Sequence, residues 1–466
     1  MQVTMTSRRL ALSAAVIMSA GASSVSRRIR RGHWPAFMSS SYASTYRTAA
    51  ARDNDWIPLG LRRLDQRSQC SSRTDSRGLS TMAVSSTSSG NNNVVSFDPK
   101  SFDPTDETMP PLHPAQFYDA SGRIPKPKAL SPSAIMEFKA CPQSYMFQYL
   151  FGIRQGTNEA LARGTFCHSA LEQVFDLGPA DRTLDNLHNL FRKAWAEKRL
   201  SDEYGPLFDV AAGGDEGDEK DEQQHQTRDV DAEIAWGKSA LVLLDNYYNL
   251  EDPRTVPVPN PLAREIWVSS HLSAGNGDTF LVRGIVDRVD LIKGPFLRIV
   301  DYKTGKHPDF KYNQVTNERI ANENFFQLKI YALLLREMMK KQADADSAEA
   351  VNDDSSGGST SRKKRSSGLP QNLRIGIPVR NLRLLYLTSK DNGPARYLDM
   401  DLGAEEEERN AELDAIHADL VQVWGAISDL VQTNDPLAFP HCDRKFCWCH
   451  KVRPRFAPDT VWQGEK

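Results

Sequence analysis

Acidic side chains are missing from the first 50 residues, a stretch that carries seven arginines and ten serines. That composition is the mark of an organellar transit peptide. Leu10 to Ala22 is also apolar and follows Arg8-Arg9, as in a secretory signal, so a bipartite plastid signal would combine both features. The address expected is therefore plastid or mitochondrion, against the plainer reading of a tail with no address. Runs of 18 apolar residues are also missing, which excludes a membrane-spanning helix and leaves no membrane partner to expect. No G-x-x-x-x-G-K-[ST] loop occurs, so a nucleotide-driven motor would have to be a separate chain. Six cysteines in 466 residues do not make a disulfide scaffold. The net charge of −2 is close to balance, and acidic insertions can mask a local basic groove.

Four segments follow from composition. Residues 1–50 are the targeting peptide and 51–125 a polar, disordered linker that cannot bury enough apolar area to offset ordering entropy. Residues 126–450 form one folded domain, and 451–466 a tail. Two low-complexity insertions interrupt the domain, an acidic one at 211–231 and a polar one at 343–368 that includes Arg362-Lys363-Lys364-Arg365.

Within the domain, Ser131 before Pro132 is an N-cap signal for a helix over 133–138, and a second helix is expected over 143–149. Tyr145, Phe147 and Tyr149 on the latter read first as core and second as a base-stacking surface. Helices are expected over 164–175, 184–200, 233–250, 325–339 and 414–431, each with an apolar stripe at helical spacing. Strands are expected over 265–268, 281–292, 296–302, 382–387 and 397–400. Lys293-Gly294-Pro295 would turn the second strand into the third, and Thr304-Gly305-Lys306 would be a turn able to hold phosphate. Alternating helices and strands predict an α/β fold with a mixed central sheet flanked by helices.

The chemistry concentrates in VRGIVDRVDLIKGPFLRIVDYKTGK, residues 282–306. Asp287 interrupts a β-branched strand and Asp301 ends an apolar one. A carboxylate in either place costs several kcal/mol unless it is paired, and a divalent cation pairs with two at once. Asp301 and Lys303 are two apart on a strand and so share a face.

The ordered set His168 in RGTFCHSALEQVF, Asp287, Asp301-Tyr302-Lys303 and Gln327 with Tyr331 in QLKIYALLL resembles the PD-(D/E)XK nuclease superfamily, in particular its RecB-like branch. SPSAIMEFKACPQSYMFQYL is similar to the opening of such domains. The resemblance implies a restriction-endonuclease-like core. It also implies a deoxyribonuclease using Mg²⁺ or Mn²⁺ held by His168, Asp287, Asp301 and the backbone carbonyl of Tyr302. Lys303, Gln327 and Tyr331 would complete the catalytic set, and Glu265, on the strand before, is a further acidic candidate. The expected partners are single-stranded DNA or DNA ends, and a separate helicase or repair protein; the binding-only alternative is a catalytically weak DNA-binding or structural subunit. In some RecB-like nucleases one early cysteine and three late ones hold a [4Fe–4S] cluster, which implicates Cys141, Cys442, Cys447 and Cys449 here. Cys-x4-Cys-x-Cys is shorter than that pattern, and zinc held with His441 or His450, or no metal, are competing readings.

Overall fold

The computed structural model describes residues 102–104, 108–210, 227–255, 260–275, 277–353, 373, 376–388 and 393–456. The targeting peptide of residues 1–50, Cys70 and the basic cluster 362–365 lie outside them.

At the foot of the acidic insertion Asp209–Val210 (β1) and Thr227–Arg228 (β2) form a two-residue antiparallel ladder. The insertion therefore closes sooner than composition suggests. The main sheet has five strands in sequence order: Ala263–Ser273 (β3), Thr279–Ile292 (β4), Phe296–Lys306 (β5), Val379–Thr388 (β6) and Arg396–Asp401 (β7). Neighbours are antiparallel except β5 and β6, which are parallel. Gly294, with φ of +87°, makes the β4–β5 turn. Thr304 to Lys306 is not a turn: β5 continues to Lys306 because β6 runs alongside it as far as Thr388.

The helices are Pro132–Ala140 (α1), Pro142–Tyr145 (α2), Glu159–Gln173 (α3), Leu184–Lys198 (α4), Val230–Leu250 (α5), Gln314–Asp353 (α6), Glu406–Thr433 (α7) and Trp448–Val452 (α8). Their starts are written in the sequence. The Ser131 side chain accepts from Ala134 N, Asn158 from Ala160 and Leu161 N, and Thr183 from Asn186 N, each such cap contributing about 1 kcal/mol. The helix expected over 143–149 ends at Tyr145 and passes into a π-turn at Met146–Leu150. Helix α6, which makes the crossover between β5 and β6, consumes the first part of the expected second insertion.

The sheet separates two cores. On one face Val282, Val286, Val289, Leu297, Ile299 and Leu384 pack with α1, α6 and α7 through Ile135, Leu328, Leu335 and Leu420. On the other, Val300, Tyr302, Leu385 and Leu387 pack with α3, α4 and α5 through Phe166, Leu187, Phe191, Trp195 and Leu244. Each of these large apolar side chains contributes about 1.5–3 kcal/mol on burial. Part of the segment read as linker also packs. Leu112 bridges to Phe456, Phe117 stacks on Phe151 at 4.9 Å, and Phe102 sits edge-on to Trp448. Three apolar anchors in a proline-rich stretch are enough to hold it, and they also hold the first residues of the expected tail.

Candidate active site and cysteine centre

Three adjoining strands bring three carboxylates together. The pairs Arg264–Arg288 and Ile266–Val286 set Glu265 opposite Asp287. The pair Arg288–Val300 sets Asp301 next in the row. Like charges on neighbouring strands repel, and burial adds to the cost. The side chains of Asp301 and Asp287 are 4% and 13% exposed. Glu265 sits in the left-handed region, with φ of +45° inside a strand. That costs a non-glycine residue about 1–3 kcal/mol and belongs to sites where the surrounding structure fixes the backbone.

Helix α3 delivers the imidazole. His168 Nδ1 lies 3.3 Å from Asp287 Oδ2, and one ligand atom each from His168, Glu265 and Asp287 lie within 4.8 Å of one another. The same Asp287 oxygen accepts the backbone N–H of Tyr302 at 2.9 Å. Asp301 stands apart from the trio, its Oδ2 2.7 Å from Lys303 Nζ without hydrogen-bond alignment. Tyr302, between them on β5, points into the opposite core, where its hydroxyl accepts from Arg288 Nη1 at 2.9 Å. Arg288 is held in turn by Glu251 and Asp290 at 2.7 and 3.0 Å.

Lys303 Nζ donates to Gln327 Oε1 at 3.0 Å, and Gln327 Nε2 donates to the Tyr331 hydroxyl at 2.9 Å. Gln327 and Tyr331, one turn apart on α6, therefore form a prop that fixes the ammonium beside Asp301. The prop leans on a residue that motif reading passed over. A Cβ at Gly284 would stand 2.5 Å from Tyr331 Cε1. A glycine inside a strand signals close approach of another group, which was the available clue. Gly164 on α3 plays a similar part, since a Cβ there would meet Thr304 Oγ1 at 3.3 Å. Gly284→Ala is expected to cost about 1–3 kcal/mol of stability by overpacking and to displace Gln327. Chemical denaturation reads the first effect and the catalytic rate the second.

The electrostatics register the crowding. Burial, then the charges of Asp287 and Glu172, push Glu265 up to about 7. Burial, then Asp287, push Asp301 up to about 6 against the pull of Lys303. Burial pulls His168 down, but the hydrogen bond and charge of Asp287, with Asp301 and Glu265, leave it raised. A carboxyl raised on folding stabilises the fold below its unfolded pKa, and that contribution is lost as pH rises through the folded value. The metal-free protein is therefore expected to lose stability between pH 4 and 7 on account of these groups. Melting curves should show Glu265→Gln flattening that slope, and a divalent cation doing the same to the native chain.

The donor set suits such a cation. Oxygen ligands with one imidazole fit Mg²⁺ or Mn²⁺. A positive charge placed among the three carboxylates relieves their repulsion and their raised pKa values at once.

A second cluster lies at the chain's two ends. The sulfurs of Cys141, Cys442, Cys447 and Cys449 lie within 4.8 Å of one another, and all are free thiols. Cys141 caps α2, its Sγ accepting from Ser144 N at 3.4 Å. Cys447 caps α8, and Cys449 lies within it. Arg444 reaches Cys442 Sγ and Cys447 Sγ at 3.4 and 3.5 Å, a cation placed to favour thiolates. His450 donates from Nε2 to the Cys442 carbonyl at 2.7 Å, and His441 meets its ring edge. Neither histidine joins the sulfurs, so the His-containing zinc set is not assembled. Cys167 lies elsewhere, fully buried, and burial pushes its thiol up to about 12. Four convergent thiols at a helix cap could hold a metal ion.

A mixed sheet whose adjacent strands present buried carboxylates beside a lysine defines a metal-dependent phosphodiester-cleaving class of site. The chain belongs to the PD-(D/E)XK nuclease superfamily, whose profile matches residues 129–450. Members of that superfamily are nucleases that generally use divalent metals, which makes DNA the implied substrate. Comparison of the whole sequence with curated proteins finds no match. Among the described residues no helix is long and apolar enough to cross a membrane.

Proposed function

We propose that the chain is a Mg²⁺- or Mn²⁺-dependent deoxyribonuclease of the RecB-like branch, an exonuclease acting on single-stranded DNA or DNA ends. The observation that carries the reading is the ion pair of Lys303 with Asp301 at 2.7 Å, one strand away from the joined His168, Glu265 and Asp287. Asp287, Asp301, His168 and Glu265 would hold the cation. When bound, it supplies Lewis acidity and neutralises charge on the phosphate.

The chain's own groups do the rest. The Tyr302 amide and His168 fix the direction of the Asp287 carboxylate. Lys303 brings a positive charge and a proton donor to the scissile phosphate, where pentacovalent charge develops, and its ammonium can orient the attacking water by donating to it. Gln327 and Tyr331 are positioning residues for that ammonium. The product expected of the family is a 5′-phosphate.

The four thiols would hold a [4Fe–4S] cluster, which needs four thiolates and no imidazole. Its part would be structural, joining the start of the domain to its end. The first 50 residues would direct the protein to a plastid or mitochondrion, in DNA repair, recombination or maintenance, with any helicase a separate partner. The binding-only alternative is disfavoured by the presence together of Asp287, Asp301 and Lys303.

Purified full-length protein assayed with Mg²⁺ or Mn²⁺ on single-stranded DNA, duplex DNA and RNA tests the reading. Cleavage of single strands or ends, abolished by chelation, is expected; a protein that leaves every substrate intact with manganese present contradicts it.

A further inference from the structure

Away from the carboxylate row lies a cleft of about 350 Å³. Lys126, Lys128, Arg154 and Arg283 line it, all four exposed, and no aspartate or glutamate does among the described residues. Its wall is a stacked pair of tyrosines, Tyr145 and Tyr149, with ring centroids 5.4 Å apart and planes at 18°. Tyr145 is fully buried, and its hydroxyl has no hydrogen-bond partner among the described residues.

The cleft is tied to the active site through β4. Leu130 N donates to Leu281 O at 2.8 Å and Arg283 N to Leu130 O at 2.9 Å. These bonds clamp the Lys126–Lys128 segment along the strand. Arg283 precedes Asp287 by four residues on β4, about 13 Å at strand rise. Beside that interval β3 presents Trp267, 62% exposed and paired with Ile285. Trp267 lies two residues along β3 from Glu265, as Ile285 lies two residues along β4 from Asp287.

We propose that this cleft seats the phosphate backbone of single-stranded nucleic acid, with Trp267 as a base-stacking step between it and the carboxylate row. The proposal rests on the nuclease reading and names how that site takes its substrate. Cations without acidic neighbours bind phosphates. Exposed aromatic faces accept bases only where these are unstacked, which selects a single strand over a duplex.

The test is binding of a fluorescent single-stranded oligonucleotide to full-length protein carrying Lys303→Ala, in chelator, across a salt series. Adding Lys126→Glu, Lys128→Glu and Arg154→Glu should lower affinity about a hundredfold and reduce the slope of log affinity against log salt by about two. Trp267→Ala should cost about tenfold, with Trp267→Phe restoring much of it. If the charge-reversed protein melts early, the three alanine substitutions replace it and the salt slope is read. Unchanged affinity and slope, or a duplex bound as tightly as the single strand, overturns the proposal. Cleavage is scored separately on the native chain. A protein that binds through this cleft yet cuts nothing removes the nuclease reading and keeps the cleft. One that cuts, but whose affinity ignores Lys126, Lys128 and Arg154, removes the cleft and keeps the nuclease.

Discussion

Lys303→Ala is expected to lower the rate of phosphodiester cleavage by about a thousandfold, the range seen when one preorganised charge-stabilising group is lost, while leaving DNA binding in place. The ammonium is paired with Asp301 at 2.7 Å. It is held there by Gln327. Removing it leaves a carboxyl already raised to about 6 without its main stabilising charge, the weaker pull of His168 remaining. The acid limb of the pH–rate profile should therefore move to higher pH in the variant. Gln327→Ala keeps the charge but frees its direction, so a smaller loss, about tenfold, is expected. Single-turnover cleavage and fluorescence anisotropy separate the two effects. A Lys303→Ala protein that cuts at the native rate would mean that the lysine serves only to neutralise Asp301.

Replacing Cys141 or Cys449 with serine is expected to remove the metal of the second centre and to lower the melting temperature by about 10 °C or more. The four sulfurs join the entrance of α2 to the last helix of the described chain, α8. A clip that closes a loop of about 300 residues restrains the unfolded chain by about 5 kcal/mol in loop entropy. The packing around it would loosen as well, since Trp448 donates to Ile153 O at 2.9 Å and packs against Phe102. Metal content, visible absorbance of an anaerobic preparation and thermal melting check this together. Cys167→Ala, at a thiol buried away from the cluster, should leave metal content unchanged. Equal metal content in the Cys449→Ser protein would show that the thiols are not ligands.

Local pattern carried much of this structure. The apolar stripes at Phe166, Ala170, Leu171 and Val174, and at Leu187, Phe191 and Trp195, are buried as their spacing requires. The β4–β5 hairpin and its Gly294 turn stand where alternation and turn chemistry put them. Strand spacing sets Asp301 with Lys303 and helical spacing sets Gln327 with Tyr331, as short-range rules allow, while contacts between elements join His168 to Asp287 and Lys303 to Gln327.

What stayed hidden depends on partners far along the chain. Glu265 is only a further acidic candidate in the sequence, and its place in the site is fixed by β4, which sets Asp287 opposite it, and by its backbone φ of +45°. The Thr304–Lys306 stretch reads as a turn because its residues are turn formers, yet β6 supplies the ladder that keeps it extended. The length of α6 was missed because its last turns are polar and have no apolar stripe to announce them. The basic cleft needs Leu130 to pair with β4, more than 150 residues later, and no periodicity reports such a contact.

Manganese binding followed by electron paramagnetic resonance addresses the carboxylate row itself, since thiolates prefer softer ions. Titrated against the native chain, Asp287→Asn and Asp301→Asn, it should show saturable Mn²⁺ binding in the first and a loss of at least tenfold in affinity in each of the others. Mn²⁺ held equally by all three proteins would contradict the assignment of a cation to Asp287, Asp301 and their neighbours.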